Sequence, residues 1–322
     1  MTPAIHRSRR SLLIAHCSLY IVPRMSTFPF TKMHGLGNDF VMIDCLQGSP
    51  IPEERLSELS QAVCTQHFGV GGDGLILILP DEEADYRMRM FNPDGSESEM
   101  CGNGIRCFAK YLYDADLIKT DSVSVATPKG LQHIEIPEQE KSCTLKVRVD
   151  MGKPRLTRDE IPMRDSEDGG HSHDQVINEL LKVDDQTYGI TAVSMGNPHC
   201  VIFVDDVESV PLKEWGLKIE HHDMFPERTN VHFVQVLGPG KLWMRTWERG
   251  AGDTLACGSG ACSVAVAAAL NGYLPKDQRN ALVHLPGGDL EIEWAENDHV
   301  YMTGPAATVF TGELPTNFHL EN

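Results

Sequence analysis

Apolar positions along the chain switch between two periods. Short runs with β-branched or alternating content predict strands at Leu75–Leu79, Tyr86–Phe91, Ser122–Ala126 and Leu145–Val149. A second set follows at Cys200–Val204, His232–Val236, Leu242–Trp247, Leu282–Leu285, Leu290–Trp294 and Val300–Thr303. Leu290-Glu291-Ile292-Glu293-Trp294 alternates strictly, which suits a sheet with one wet face and so antiparallel or mixed pairing. Helical spacing is rarer. Leu56, Leu59 and Val63 predict a helix over Pro52–Gln66, and Ile105, Phe108, Ala109 and Leu112 follow i, i+3, i+4, i+7. Ala261–Leu270 is apolar nearly all round and stops at Asn271-Gly272. Such a helix has to be buried, which predicts a sheet wrapped around it. Arg158–Asp174 is polar and reads as a solvated surface loop, although Asp168, His171 and His173 carry metal-ligand chemistry.

The chain also repeats itself. Met100-Cys101-Gly102-Asn103-Gly104 resembles Ala256-Cys257-Gly258-Ser259-Gly260, and Met88–Asn92 resembles Met244–Glu248. Gly37-Asn38-Asp39 before Val41–Asp44 resembles Gly196-Asn197-Pro198-His199 before Val201–Asp205. The three matches keep their order and nearly their offsets. They predict two homologous halves, split near Val149–Gly152, and an α/β fold of the α+β type. Each of the two pseudosymmetric domains is expected to be a mostly antiparallel or mixed sheet around a central helix, with the active site in the cleft between them.

Composition narrows the partners. The 322 residues hold 28 Lys+Arg against 46 Asp+Glu, a net charge of −18. That argues against a nucleic acid or an anionic membrane as partner, and no apolar run is long enough for a spanning helix. Residues 1–24 differ, with Arg7, Arg9, Arg10 and Arg24 and no acid. They read as a mis-assigned start, a disordered tail or a cleaved targeting peptide. The cytoplasm is the expected compartment, or an organellar stroma if the segment is a transit peptide. The nine cysteines include no CxxC, so reduced thiols are expected, with neither a disulfide framework nor a structural metal. Cys64, Cys107, Cys143, Cys200 and Cys262 read as core or structural residues.

Cys101 and Cys257 differ from the others. Each precedes a glycine-flanked turn into a helix, where bare N–H groups and the positive helix end can hold a carboxylate. The same position is expected to lower a thiol's pKa and bring the thiolate near neutrality. Two such thiols in equivalent places of a duplicated fold face each other across a cleft. One can then remove a proton from a stereocentre while the other delivers one to the opposite face.

The motifs Lys32–Phe40, Phe91-Asn92-Pro93-Asp94-Gly95, Cys101–Gly104, Met195–His199, Glu227–Asn230 and Glu248–Gly252 through Cys257–Gly260 resemble those of the diaminopimelate epimerases. The resemblance runs from about Phe30 to Gly312. It implies a cofactor-independent isomerase interconverting LL- and meso-2,6-diaminopimelate, in lysine and peptidoglycan-precursor biosynthesis. It implies Cys101 and Cys257 as the acid/base pair, assisted by His199 and Glu248. Substrate contacts are implied for Asn38, Asn92, Gly102, Asn103, Asn197, Asn230, Glu248, Arg249, Gly258 and Ser259. It further implies a chain end that returns to the first domain, so the expected units are 25–149 with 305–322, and 150–304. No cofactor and no metal are expected, and a homodimer is the assembly to consider. Gly74 stands where some members carry Gln.

Rival readings remain at this level. A proline-racemase-type enzyme also uses two cysteines, but the asparagines with Glu248-Arg249 point to a substrate with a second polar end. A thiol–disulfide oxidoreductase would lack its CxxC, and a non-catalytic amino-acid-binding protein would not exchange the α-hydrogen. Gly69, Gly71 and Gly74 fit G-x-G-x-x-G, but they follow a helix and precede a strand, the reverse of a dinucleotide site.

Overall fold

One order of strands and helices is used twice. A computed structural model describes residues 26–98, 101–137, 144–165 and 170–319. The extension 1–24, Cys17, Cys143, Asp168 and the last residues of the expected tail lie outside the described residues. In the first half the elements are β1 (Thr27–Gly35), β2 (Asn38–Asp44), α1 (Leu56–Cys64), β3 (Gly74–Leu79), β4 (Tyr86–Phe91), β5 (Glu97–Ser98), α2 (Gly102–Asp114), β6 (Ser122–Thr127), β7 (Gly130–Glu135) and β8 (Thr144–Asp150). The second half has β9 (Glu179–Val183), β10 (Gln186–Ser194), β11 (Pro198–Phe203), α3 (Leu212–Glu220), β12 (Asn230–Gly238), β13 (Lys241–Glu248), β14 (Gly252–Thr254), α4 (Gly258–Leu270), β15 (Asn280–Leu285), β16 (Gly288–Trp294) and β17 (Val300–Pro315).

The pairings repeat with the order. β2 runs parallel to β3 as β11 does to β12, and β4 runs parallel to β6 as β13 does to β15. The β3–β4, β6–β7 and β7–β8 pairs are antiparallel, like β12–β13, β15–β16 and β16–β17. Phe40 pairs with Gly74 where His199 pairs with Asn230, which fixes the correspondence residue by residue.

The last strand joins the two halves. β17 is long enough to bind the sheet of one half to that of the other. It pairs with β16 and β8 over Val300–Ala307 and then with β1 up to Pro315, so the 17 strands form one hydrogen-bonded sheet. The core is shared as well. Ile105, Phe108 and Leu112 of α2 and Ala261, Cys262 and Val264–Ala268 of α4 lie in one buried apolar cluster. Residues Gly260–Ala268 of α4 are all buried, as its composition requires.

Other differences have local causes. The helix expected over Pro52–Gln66 is a 3₁₀ turn, Glu53–Arg55, followed by α1. α3 escapes its pattern because Gly216 interrupts it. There the Trp247 ring packs so closely that a Cβ would lie 2.9 Å from Trp247 Cδ2. The polar stretch Arg158–Asp174 is not simply solvated, since Arg158, Ile161 and Met163 are buried. The Arg158 guanidinium bonds Glu179 and, at 2.7 Å, the carbonyl of Arg164. Among the described residues no helix is long and apolar enough to cross a membrane.

Candidate active site

Cys101 and Cys257 hold equivalent places. Each is the extended residue before a central helix, with φ −129°, ψ 120° and φ −119°, ψ 105°. Each carbonyl accepts the first helical bond, from Ile105 N–H and Ala261 N–H, both at 2.9 Å. The two turns converge. Asn103 Nδ2 donates to the Ala256 carbonyl in the other half at 3.2 Å and to Asn38 Oδ1 at 3.1 Å. The Cys101 thiol points at the same Asn38 oxygen, 3.7 Å away. Met302 of β17 fills the space between the helix starts. A Cβ on Gly102 would lie 3.1 Å from its Cε, and one on Gly258 would lie 3.1 Å from its Sδ. A side chain at either place would have to push the Met302 tip aside.

The electrostatics follow from this convergence. Two helix N-termini meet beside Arg106, which is fully buried and donates to the carbonyls of Gly102 (3.1 Å) and Pro305 (3.2 Å). Its Nη2 has no partner, and neither has Asn103 Oδ1, among the described residues. Such a site favours an anion and retains a buried acceptor for a cation. Glu248 is the carboxylate that both thiols feel. Thr254 Oγ1 donates to it at 2.6 Å, and burial pushes its pKa up.

Burial works against the easily ionised thiols expected at these helix starts. Burial pushes both cysteines above their ordinary value, Cys257 strongly, and the Glu248 charge adds to the effect. The amides of Asn103 and Gly104 pull Cys101 down, and that of Gly260 pulls Cys257 down, without reversing the sign. Desolvation outweighs the helix ends here.

Beside Cys257 lies a buried pair that the strand pattern did not single out. His199 Nδ1 and His232 Nε2 are 2.8 Å apart, and both rings are fully buried. His199 Nε2 contacts Asn197 Oδ1 at 3.0 Å, and His232 Nδ1 contacts Thr246 Oγ1 at 3.0 Å. Burial pushes His199 well below the ordinary value and His232 down to about 3, so both rings are neutral.

Most of the remaining expected residues surround this centre. Asn38 Nδ2 donates to Asp73 at 2.7 Å. Ser259 Oγ lies 3.9 Å from Cys257 Sγ. Asn230 is spent on the main chain, donating to Pro198 O at 2.9 Å and accepting from Arg249 N–H at 3.0 Å. Arg249 Nη1 donates to Glu227 O at 2.9 Å, tying two site loops together. Asn92 Nδ2 instead bonds Ser96 Oγ at 3.0 Å inside its own turn, just after β4 and at the place that corresponds to Glu248. At Gly74 a Cβ would lie 3.0 Å from Phe91 O and from Met90 Cε, so no longer side chain enters without a shift. Among the described residues no group of His, Cys, Asp or Glu could hold a metal ion.

Comparison with known proteins converges with this geometry. The diaminopimelate epimerase family model matches residues 30–157 and 191–309. A diaminopimelate epimerase of Pelotomaculum thermopropionicum is 54% identical over 286 residues, covering 89% of this chain and 98% of its own. One of Methanococcus maripaludis is 48% identical over 286 residues, covering 88% and 99%. Solved structures share the fold at low identity. A Bacillus anthracis phenazine biosynthesis protein of the PhzF family matches with TM-score 0.65 and 18% identity, covering 90% of this chain and 99% of its own. A hydroxyproline epimerase from Agrobacterium vitis matches with TM-score 0.62 and 15% identity, covering 89% and 92%. The chain belongs to the diaminopimelate epimerase family.

Proposed function

We propose that the protein interconverts LL- and meso-2,6-diaminopimelate by a two-cysteine proton transfer, without cofactor or metal. The observation that carries this reading is the pair Cys101 and Cys257 at equivalent, converging helix starts in a chain about half identical to diaminopimelate epimerases over nearly their whole length. The thiolate of one cysteine takes the α-hydrogen and leaves its electron pair on the substrate. The thiol of the other gives its proton to the opposite face and becomes the thiolate. After one turnover the two sulfurs have exchanged roles, and protons balance.

Burial favours the thiol form of both sulfurs, so one of them releases its proton to solvent as the substrate binds. The substrate supplies the missing balance. Its α-ammonium favours a neighbouring thiolate, and its α-carboxylate suits the two helix N-termini, whose N–H groups stabilise charge as it develops. Asn103 Oδ1 is a ready acceptor for an ammonium group. His199 and Glu248 assist at the reacting centre. Asn38, Asn92, Gly102, Asn197, Asn230, Arg249, Gly258 and Ser259 complete the substrate site on this reading. Residues 25–149 with 305–322, and 150–304, are its two duplicated units. The protein then serves lysine biosynthesis in the cytoplasm, with a homodimer as the assembly to test.

A thiol–disulfide oxidoreductase fits less well, because the two cysteines lack its CxxC spacing. The test is incubation with LL-diaminopimelate and chiral analysis of the product. Accumulation of the meso form, with lysine and proline unchanged, is the expected result. No meso product, or turnover of lysine or proline at a similar rate, contradicts the reading.

A further inference from the structure

We propose that His232 is a positioning residue, which fixes the tautomer of His199 and thereby the orientation of the Asn197 amide toward the substrate. The proposal rests on the epimerase reading for its substrate, but the hydrogen-bond chain behind it is a property of the protein alone.

The chain runs Thr246 Oγ1, His232 Nδ1 (3.0 Å), His232 Nε2, His199 Nδ1 (2.8 Å), His199 Nε2, Asn197 Oδ1 (3.0 Å). A neutral imidazole has one N–H and one lone pair. The protons of two linked neutral rings must therefore all run in one direction. With Asn197 Oδ1 accepting at one end, His199 carries its proton on Nε2. Its Nδ1 then accepts from His232 Nε2–H, and His232 Nδ1 accepts from the Thr246 hydroxyl. Asn197 is left with its NH₂ for the ligand. The reverse direction would turn the amide over and present its oxygen. The direction of the chain thus decides whether Asn197 offers the substrate a donor, as a carboxylate needs, or an acceptor.

The duplication supplies an internal control. Register places Phe40 and Ile76 of the first half where His199 and His232 stand in the second. Both are fully buried, and Ile76 packs against Gly104 as His232 packs against Gly260. The fold therefore fills these positions with apolar side chains where packing alone is required. Two linked imidazoles are not a packing necessity. His232 also lies beside the Cys257 turn. A Cβ on Gly260 would be 2.9 Å from His232 Nε2 and 3.0 Å from Cys257 Sγ.

The test compares His232→Leu, which cannot donate, with His232→Gln, whose amide can place an N–H near the same spot. Each is made in the wild-type and in a His199→Ala background, and kcat and KM are measured with LL-diaminopimelate. His232→Leu is expected to lower kcat/KM roughly 10- to 100-fold, as loss of an imidazole's orienting partner does elsewhere. His232→Gln should recover most of that loss. In the His199→Ala background His232→Leu should change kcat/KM by less than about twofold, since the two residues act as one unit. An equal loss in both backgrounds overturns the proposal. Nitrogen NMR of histidine-labelled, ligand-free enzyme gives a readout that needs neither substrate nor a folded Leu variant. Both rings should be neutral with the proton on Nε2, and a proton on His199 Nδ1 overturns the proposal. Absence of wild-type turnover alongside the expected NMR pattern would refute the substrate and leave the chain standing.

Discussion

Asn103 and Ala256 join the two cysteine-bearing turns: the Asn103 amide, on the first turn of α2, donates at 3.2 Å to the carbonyl of the residue before Cys257. A single side chain thereby ties the site of one half to the main chain of the other. Asn103→Ala leaves that carbonyl without its donor in a buried place. The expected cost is about 1–3 kcal/mol of unfolding free energy, together with a large loss of turnover. Urea unfolding and a turnover assay check both. Unchanged stability and activity would show that the bridge holds nothing together.

The histidine pair predicts acid sensitivity with a definite sign. Both rings are held below the ordinary value of 6.5, His232 at about 3. The unfolded chain therefore binds two protons below pH 6.5 that the folded one refuses. The stability from keeping the rings neutral is present above that pH and is lost as pH falls toward about 3. Each ring contributes up to ~1.4 kcal/mol per pH unit over this range. His232→Gln should flatten the fall in unfolding free energy by about that amount per unit. Parallel pH curves for wild type and variant would mean that His232 is not held neutral.

Glu220 anchors the loops around the site. Its carboxylate is nearly fully buried at the end of α3 and accepts from Trp247 Nε1 (2.8 Å), Gly250 N–H (3.0 Å) and Arg228 (3.3 Å). These donors belong to the segments that carry Glu248, Arg249 and Asn230. Arg228 is half-exposed and keeps water, so Glu220→Ala strands mainly the indole and the amide. A loss of about 2–4 kcal/mol is expected, with a raised KM, and Glu220→Gln should lose less. Chemical denaturation and steady-state kinetics decide. A change within about 0.5 kcal/mol for the Ala variant would contradict the anchoring role.

Much of this arrangement was legible in the residues, for physical reasons. Two copies of Cys-Gly-x-Gly before apolar helices marked the helix starts, and the all-apolar Ala261–Leu270 could only be a buried helix. The β1 strand was hidden by Pro29 within Thr27–Gly35, although Phe28 and Phe30 face the core. Within α3, Gly216 broke the helical pattern for the sake of Trp247. His232 sat in an anticipated strand, but only the pairing of β11 with β12 brings it to His199. Comparing it with Ile76 in the repeat would have flagged a polar residue at a core position. The sign of the thiol shifts was beyond local reading. A helix start is visible in sequence, whereas the burial that outweighs it arises only when the two halves close on each other.

The claim that Cys101 and Cys257 act from opposite faces is tested most directly by epimerisation in deuterated water. LL-diaminopimelate is incubated with wild type, Cys101→Ala and Cys257→Ala, and the products are separated by chirality and weighed by mass spectrometry. Wild type should give meso product carrying one solvent deuterium at the inverted carbon. Each variant, with its fold intact, should lose inversion by roughly 10²- to 10⁴-fold. Inversion at a tenth or more of the wild-type rate in either variant would contradict the two-cysteine mechanism.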